Sequence, residues 1–451
     1  MAQTKDMTAG RPAGLIFFFA LPLMMGNIFQ QLYIVVDSAI VGRVAGVEAL
    51  AAIGAADWIN WLVMGVVGGF AQGFSIMVAQ RFGAGDEAGL KKAAGVSMTL
   101  IGIISLLTTV IGIPLTRPLL RLLNTPENII DGAVAYLYII IGCALITGAY
   151  NIFACILRAL GNSKTPLIAM VTAAVVNVGL DFVFVMGMKM GVAGAALGTV
   201  IAQAVAMSIC WAAIRRIPKL KLSRRDFDLT PGITGRLFRL GLPVAFQNTI
   251  ISMGGLVIQY VINGFGFLYV AGFTATNKLY GLIEVAGASY GFAIATYVGQ
   301  NLGAGRFDRI RKGMGSGFAM ALGTCAAVMG CMFLFGRSLL SMFISGDPDE
   351  TVQVLDIAFR YLMFMTCGLP ILYLLHVYRC ALQGMGNTLI PMLSGGMELV
   401  CRISTILILP LVIGEPGLYF SEPAAWLGAE VILMISYYRV IVKLEKETKQ
   451  S

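Results

Sequence analysis

The chain has 451 residues, of which 58% are hydrophobic and only 12% are charged, with a mean hydropathy of +0.84 and a formal net charge of +9. Soluble domains usually carry about 25% charged residues, so this composition excludes an ordinary soluble protein and predicts an integral membrane protein. A basic chain can also bind nucleic acid, but here the basic residues are scattered over the connections between apolar segments, which argues against that class.

Apolar segments follow one another along the whole chain, and each reaches the roughly 20 residues that a helix needs to cross a bilayer. Spans 1 to 12, as we call them, are 14–42, 49–79, 93–116, 128–158, 165–187, 192–215, 237–263, 267–299, 313–336, 351–382, 388–413 and 420–442. Their continuously apolar character predicts helices and not the alternating strands of a barrel. The predicted fold is therefore all-α, with twelve transmembrane helices. The run Leu15–Ala20 continues into span 1 without a cleavage site, so no cleavable signal peptide is expected.

Lysine and arginine are concentrated on one side of the predicted bundle. The N-terminus and the even-numbered connections hold most of them. The other side holds only Arg43, Arg117, Arg121, Lys189, Arg337 and Arg360. The positive-inside rule then predicts a multi-pass protein of the cytoplasmic (inner) membrane with both termini in the cytoplasm.

The longest basic connection divides the chain almost in half. It reads "RRIPKLKLSRRDFDLTPG" over Arg215–Gly232. It predicts an N-lobe over 1–216 with spans 1 to 6, a cytoplasmic basic linker over 217–236, and a C-lobe over 237–451 with spans 7 to 12. We expect the linker to be solvated and close to anionic lipid.

The two halves carry the same landmarks in the same order. The matched pairs are "VAQRFGAG" (Val78–Gly85) with "VGQNLGAG" (Val298–Gly305), "LPLMMGN" (Leu21–Asn27) with "LPVAFQN" (Leu242–Asn248), and "GNSKTP" (Gly161–Pro166) with "GNTLIP" (Gly386–Pro391). Both copies begin on the same side with six spans each, which predicts two six-helix lobes related by a pseudo-two-fold axis along the membrane normal. The repeated GAG loops predict tight turns in which Gln80 or Gln300 satisfies backbone groups.

Two six-helix lobes facing each other are typical of a transporter, and the energy source of such a transporter can be narrowed from the motifs that the sequence lacks. It has no G-x-x-x-x-G-K-[ST] phosphate loop, no soluble region large enough for a nucleotide-binding domain, and neither the nucleophile set nor the H-E-x-x-H motif of a membrane-embedded enzyme. We therefore expect no enzyme activity and no cofactor, and we expect H⁺ or Na⁺ as the coupling ion. Apart from Na⁺ held by Asp37 and Asp181, no metal is expected.

Two carboxylates are expected at nearly the same depth of the N-lobe. Asp37 lies about five residues before the outer end of span 1, and Asp181 about six residues before that of span 5. Asn177 precedes Asp181 by one helical turn and shares its face. Such a pair can share a proton or hold a monovalent cation. The alternative is that each acid faces a wet cavity or pairs with a polar neighbour.

Several of these motifs together resemble the multidrug and toxic compound extrusion (MATE) family. They are "DSAIVGR" from Asp37, "Q-x-x-GAG" after spans 2 and 8, "LRALGNSKTP" at the end of span 4 and "N-x-x-x-D" in span 5. The resemblance covers nearly the whole chain. It implies two six-helix lobes in a V shape, and antiport of organic, often cationic or amphipathic compounds against H⁺ or Na⁺.

The resemblance is closer to the DinF-like branch of that family than to the NorM-like branch. The NorM-like branch adds acids in spans 7 and 10, whereas span 7 here has none and Asp356 of span 10 lies near its outer mouth. In the DinF-like branch an N-lobe cluster serves the coupling ion, and Pro22 matches a first-helix proline linked to bending. By motif position the cluster implied here is Asp37, Tyr136, Asn151, Asn177, Asp181 and Thr199.

Further polar residues within the spans are candidates for a substrate cavity. Glu398 and Arg402, at i and i+4 in span 11, either form an internal salt bridge or recognise substrate. His376, the only histidine, either titrates or is a hydrogen-bonded structural residue. Asp57 and Asn277 either line the cavity or cap local backbone. The full candidate set is Asp57, Asn277, Glu284, His376, Glu398, Arg402 and Gln247.

Other transporter classes remain as alternatives. A flippase or exporter of a lipid-linked or metabolite substrate in the same superfamily would want a cationic cavity, whereas acids outnumber bases within these spans. A major-facilitator transporter would carry G-x-x-x-D-R-x-G-R-R after span 2, and a channel would not need gradient coupling. The expected partners are small organic substrates and membrane lipid, with no nucleic acid, and the expected state is a monomer.

Overall fold

The computed structural model describes residues 4–123, 125–344 and 348–450. Within these residues every regular element is helical, with thirteen α-helices joined by short 3₁₀ and π segments. The α-helices are α1 (Pro12–Val44), α2 (Val47–Gly83), α3 (Glu87–Leu122), α4 (Glu127–Gly142), α5 (Ala144–Ala159), α6 (Lys164–Asp181), α7 (Gly191–Arg215), α8 (Pro231–Asn263), α9 (Phe267–Gly303), α10 (Phe307–Ser341), α11 (Pro348–Gly384), α12 (Leu389–Ile413) and α13 (Ser421–Gln450). Spans 1 to 3 correspond to α1 to α3, span 4 to α4 and α5 together, and spans 5 to 12 to α6 to α13.

The prediction of an all-α membrane fold with twelve spans is confirmed. In the described part of the chain, 11 helices are long and apolar enough to cross a membrane, and the bent pair α4 and α5 provides the twelfth crossing. Large apolar side chains remain exposed along these helices, as expected for surfaces that face lipid. Examples are Leu107 on α3, Leu334 on α10 and Leu411 on α12.

Span 4 is broken in the structure, although the sequence predicts one helix over 128–158. Its two halves, α4 and α5, meet at Cys143 with a bend of 51°. Gly142 stands immediately before the break, and the next turn tightens, because the amide of Ile146 donates to the carbonyl of Cys143 at 2.9 Å. Glycine is a common cause of such kinks. The bend sets the direction of α5 and of its polar side chains.

Span 5 also changes its helical type. The α-helical part ends at Asp181, and the chain continues as a π-helix over Phe182–Gly187. The amide of Met188 donates to the carbonyl of Val183 at 2.8 Å and closes this segment. Asp181 therefore lies at an α-to-π junction, a feature that is frequent at functional sites.

The chain folds into two compact units. Unit 1 comprises the described residues of Met1–Ala9, Leu21–Thr249 and Gly299–Gly305. Unit 2 comprises the described residues of Gly10–Ala20, Ile250–Val298 and Arg306–Ser451. Relative to the sequence halves, residues 10–20 fall in unit 2, and residues 237–249 and 299–305 fall in unit 1. The lobe and linker boundaries given above stay a prediction, and residues 1–3 and 451 of those lobes lie outside the described residues.

The repeated GAG loops make the tight turns that were predicted. Gly85 and Gly305 have φ values of +70° and +68°, which glycine adopts readily. The side chain of Gln300, however, satisfies backbone groups beyond its own turn. Its Oε1 accepts from the amide of Met7 at 2.8 Å, and its Nε2 donates to the carbonyl of Ala159 at 2.8 Å. This fully buried side chain fastens the N-terminal segment of unit 1 to the end of α5.

The glycine that ends each helix at these loops allows a close crossing within unit 1. A Cβ on Gly83 would lie 1.9 Å from the carbonyl oxygen of Gln300, and a Cβ on Gly303 would lie 1.9 Å from that of Gln80. The ends of α2 and α9 therefore meet backbone to backbone. The first copy of the motif supplies Gly83 and the carbonyl of Gln80, and the second copy supplies Gly303 and the carbonyl of Gln300.

Most residues of the basic linker are exposed, as predicted, and its backbone also docks on α3. Lys92 donates from Nζ to the carbonyl of Arg225 at 2.6 Å, and the hydroxyl of Thr99 donates to the carbonyl of Phe227 at 2.9 Å. Ser223 and Asp226 form a capping box on a short 3₁₀ turn, Arg224–Phe227.

Candidate functional site

The structure brings Asp37 and Asp181 together in unit 1. Asp37 lies in the C-terminal part of α1 and is half-buried, whereas Asp181 at the end of α6 is fully buried. Their carboxyl groups lie close enough to interact directly. Asn177 lies one turn before Asp181 and is 1% exposed. The equal depth expected from the sequence therefore corresponds to direct proximity.

The buried polar atoms of these three side chains lack hydrogen-bond partners among the described residues. Both carboxylate oxygens of Asp181, both side-chain amide atoms of Asn177 and Oδ1 of Asp37 are buried without a hydrogen-bond donor or acceptor that serves them. Two ionised carboxylates have no hydrogen to offer each other, and unpaired buried charges are expensive. A proton shared between the two carboxyl groups, or a monovalent cation between them, removes this cost.

Helix α7 approaches the pair through a glycine. A Cβ on Gly198 would lie 2.9 Å from Oδ1 of Asp181 and 3.4 Å from Nδ2 of Asn177. Thr199 follows this glycine and is half-buried. The backbone of α7 thus forms one wall of the site, and a larger residue at position 198 would press on the carboxylate.

Two tyrosines and a third acid surround the pair. Tyr33 and Tyr136 are within electrostatic range of Asp37, Asp57 and Asp181. Tyr136 also belongs to an apolar cluster of unit 1 that contributes low-dielectric walls. Tyr33 is absent from the predicted cluster, although its position one turn before Asp37 on α1 is a signal for it.

Asn151 does not donate to the acids in this structure. Its Nδ2 donates to the carbonyl of Thr147 on the same helix at 2.9 Å. The hydroxyl of Thr147 in turn donates to the side chain of Gln203 on α7. The amide of Asn151 is therefore engaged by its own helix, and its part in ion binding stays a prediction.

Pro22 lies within α1, which is continuous from Pro12 to Val44. Four residues further on, Gly26 lets α1 pack on α6, because a Cβ there would meet Leu167 and Met170 at 3.3 Å. Proline removes one helical hydrogen bond, so this part of α1 is weakened where it contacts the helix that carries Asp181. Bending at Pro22 stays a prediction.

In unit 2 the buried Glu398 is paired with two arginines. Glu398 accepts from Nη2 of Arg379 at 2.7 Å and from Nη2 of Arg402 at 3.2 Å. Arg402 also donates to Glu422 at 2.8 Å. The Glu398–Arg402 salt bridge that the i, i+4 spacing predicts is present, and it is part of a longer network. Arg379 and Glu422 are not predicted, since they come from α11 and α13, and only the fold reveals their proximity.

The remaining candidates for a substrate cavity are divided between the units. In unit 2, Nε2 of His376 lies 3.3 Å from Oε1 of Glu284, and Asn277 is exposed on α9. Gln247 on α8 is buried, and Asp57 on α2 is exposed near Asp37; both belong to unit 1. Within the described residues no group of three or more His, Cys, Asp or Glu forms a metal centre.

Unpaired carboxylates within membrane-crossing helices are typical of ion or substrate pathways, and the comparisons with known proteins identify the family. The MatE family profile matches residues 22–183 and 243–408, and the chain belongs to this family. It therefore has the family's membrane fold and is a transporter that exports compounds.

Individual relatives agree with this identification. The chain is 25% identical over 444 residues to the probable multidrug resistance protein YoeA of Bacillus subtilis, covering 96% of this chain and 94% of that protein. It is 31% identical over 358 residues to the probable multidrug resistance protein YpnP of the same organism, covering 77% and 78%. A solved structure of a MOP superfamily transporter from Pyrococcus furiosus has the same fold, with a TM-score of 0.92 at 22% identity, covering 98% of this chain and 99% of that one.

Proposed function

We propose that this transporter is an antiporter that exports organic, cationic or amphipathic compounds in exchange for H⁺ or Na⁺. The observation that carries the proposal is the Asp37–Asp181 pair, two facing carboxyl groups without donors among the described residues. Asn177, one turn before Asp181 and buried with amide atoms that are unpartnered within the described part of the chain, completes the coupling site. Tyr136, Asn151 and Thr199 are proposed as its outer members.

The pair supports coupling for an electrostatic reason. When both carboxyl groups are ionised and no cation is present, the two negative charges repel each other in apolar surroundings. This state is therefore unfavourable. One bound monovalent cation removes the repulsion and allows α1 to pack closely on α6. If substrate binds more tightly to the cation-free arrangement, then cation entry and substrate release are linked through differential affinity.

The remaining features of the proposal follow from the sequence. The distribution of basic residues supports a cytoplasmic-membrane protein with both termini inside, and span 7 without an acid supports the DinF-like branch. We propose a monomer that uses no cofactor and in which Pro22 provides the bending point of α1. The alternative is the export or flipping of a lipid-linked or metabolite substrate.

Reconstituted protein tests the proposal. Proteoliposomes loaded with ethidium receive an inward H⁺ gradient, an inward Na⁺ gradient, or neither, and efflux is followed by fluorescence. Efflux driven by one of the two gradients, and abolished when an ionophore collapses it, is the expected result. Equal flux with and without either gradient would exclude antiport, and scrambling of a labelled lipid without ethidium efflux would favour the alternative.

A further inference from the structure

An apolar cleft of about 140 Å³ opens on the surface of unit 1, and neither Asp37 nor Asp181 lines it. Its walls come from α3, α5 and α7, and one residue of the basic linker also lines it. The lining residues are Met98, Ile101, Gly102, Leu145, Ala149, Ile152, Phe153, Trp211 and Phe227. Phe153 and Trp211 are stacked with their ring centroids 5.1 Å apart. Such a cleft accepts a flexible apolar chain.

The linker is held at this cleft by contacts with α3. The hydroxyl of Thr99 binds the carbonyl of Phe227, the linker residue that lines the cleft. A Cβ on Gly95 would lie 2.3 Å from the carbonyl oxygen of Asp226, so the linker backbone rests directly on the helix. The position of the linker is therefore defined, and so is the position of the basic residues beside Phe227.

Basic residues surround the linker end of the cleft. Arg225 precedes Phe227 by two residues, and Arg215 lies one turn beyond Trp211 on the same face of α7. Lys92 joins them, because its Nζ is bonded to the carbonyl of Arg225. Both arginines are exposed. Asp226, the carboxylate next to Arg225 in the chain, is engaged by the amide and hydroxyl of Ser223 at 2.6 and 2.8 Å, and Asp228 is exposed.

We propose that the cleft and its basic border form a binding site for an anionic phospholipid of the surrounding bilayer. An acyl chain lies along Ile101, Phe153 and Trp211, and the headgroup phosphate is held by Arg215, Arg225 and Lys92. The bilayer is the environment of this surface, and an anionic lipid is the component that matches both an apolar cleft and a cationic border. Aromatic residues at such a boundary are typical of the membrane interface. The proposal does not depend on the coupling ion or on the exported compound.

Fluorescence quenching by brominated lipids tests the site, because Trp211 lines the cleft. The protein is placed in phosphatidylcholine nanodiscs containing a small, equal fraction of either brominated phosphatidylglycerol or brominated phosphatidylcholine. Subtracting the signal of Trp211→Phe isolates Trp211 from the other tryptophans. We expect Trp211 to be quenched at a several-fold lower fraction of the anionic lipid, since each basic residue near the headgroup contributes roughly a fivefold preference.

Matched variants separate the site from the general charge of the protein. Neutralising Lys92, Arg215 and Arg225 together to Gln should remove the preference. The control is a triple variant that changes the net charge equally at other exposed basic positions, Arg11→Gln, Lys312→Gln and Arg439→Gln. It should retain the preference for the anionic lipid. Equal quenching by the two lipids in the unmodified protein, or an unchanged preference after neutralising the border, would overturn the proposal.

Filling the cleft tests its apolar part. A Cβ on Gly102 meets only Leu145, at 3.9 Å, so Gly102→Leu extends into the cleft without displacing backbone. It should reduce quenching of Trp211 by the anionic lipid. Gly323→Leu on α10, where nothing lies within 4 Å of an added Cβ, is the control and should leave quenching unchanged. Equal effects of the two substitutions would contradict occupation of the cleft.

Discussion

At the scale of single residues, the buried acid Glu398 and the Asp37–Asp181 pair differ in their partners. Glu398 receives two guanidinium groups, so its charge is compensated within the protein. Asp37 and Asp181 face each other with no cationic side chain between them among the described residues. An uncompensated charge in a membrane is costly. The compensated Glu398 therefore fits a structural role, whereas the uncompensated Asp37–Asp181 pair fits a site that an ion enters and leaves.

Glu398→Gln is therefore expected to destabilise the protein. The change leaves Arg379 and Arg402 buried without their shared anion, and breaking a buried pair in this way typically costs about 3–5 kcal/mol. We expect a lower yield of folded protein and a lower melting temperature in scanning fluorimetry.

Asp356→Asn is the control for this change. It breaks an ion pair with Arg337 whose side chains are 45% and 53% exposed, and exposed pairs contribute about 0–1 kcal/mol. Normal yield and stability of Glu398→Gln, together with an altered range of exported compounds, would contradict a structural role and favour substrate recognition.

The proximity of the acids could be predicted from sequence, whereas the surroundings of each charge could not. The depth of Asp37 and Asp181 follows from counting residues along two spans, and Asn177 follows from helical spacing. The contacts of Arg379 with Glu398 join α11 to α12, and counting along one helix cannot reveal them. The engagement of Asn151 by Thr147 also depends on its local geometry within α5.

At the scale of elements, the repeated glycines determine how closely two helix ends approach. Gly83→Ala should place a methyl group against the carbonyl of Gln300, which is backbone and cannot rotate away. We expect a loss of stability of about 1–3 kcal/mol, as for other overpacked sites, measured as a lower melting temperature.

Gly315→Ala on α10 is the matched control, because an added Cβ meets nothing within 4 Å there. It should be neutral or stabilising by roughly 0.5–1 kcal/mol. Tolerance of Gly83→Ala equal to that of Gly315→Ala would contradict the close crossing of α2 and α9.

The turn between α2 and α3 contains an acid whose contribution depends on pH. Asp86 caps α3, and the backbone amide of Gly89, with help from Arg81, holds the pKa of its carboxyl below the ordinary value of 3.8. A lowered pKa means that the charged form stabilises the fold, so this contribution is complete above pH 3.8 and is lost as the pH falls below it.

Asp86→Ala should cost about 1 kcal/mol at neutral pH, the usual value of a lost helix cap. Melting curves at pH 7 and pH 3 measure the effect, and the difference from the unmodified protein should shrink at pH 3. Asp86→Asn keeps a capping side chain and is the control for the charge. A difference that grows on acidification would contradict this account.

The number and positions of the spans could be predicted because hydropathy is a property of each segment by itself. The break at Cys143 and the π segment after Asp181 could not, since they alter the hydrogen bonding within runs that stay apolar throughout. The docking of the linker on α3 depends on backbone carbonyls that bind Lys92 and Thr99, and composition does not reveal them.

At the scale of the whole molecule, the uneven distribution of basic residues predicts the orientation in the membrane. Green fluorescent protein fused after residue 451 should fluoresce, and alkaline phosphatase fused there should be inactive, because both report a cytoplasmic C-terminus. A phosphatase fusion after Lys189, in the connection between α6 and α7, should be active and serves as the control. The opposite pattern would contradict the predicted topology.

The central claim is that Asp37 and Asp181 form the site that couples an ion to export, and matched carboxamides test it most directly. Gradient-driven ethidium efflux is measured from proteoliposomes that hold equal amounts of Asp37→Asn, Asp181→Asn and Asp131→Asn, the last being a control whose side chain is 80% exposed. Because each carboxamide in the pair mimics the neutral state, we expect both site variants to fold normally and to lose at least about tenfold of the gradient-driven rate, while the control retains it. Efflux by Asp37→Asn at the rate of the unmodified protein would contradict the account.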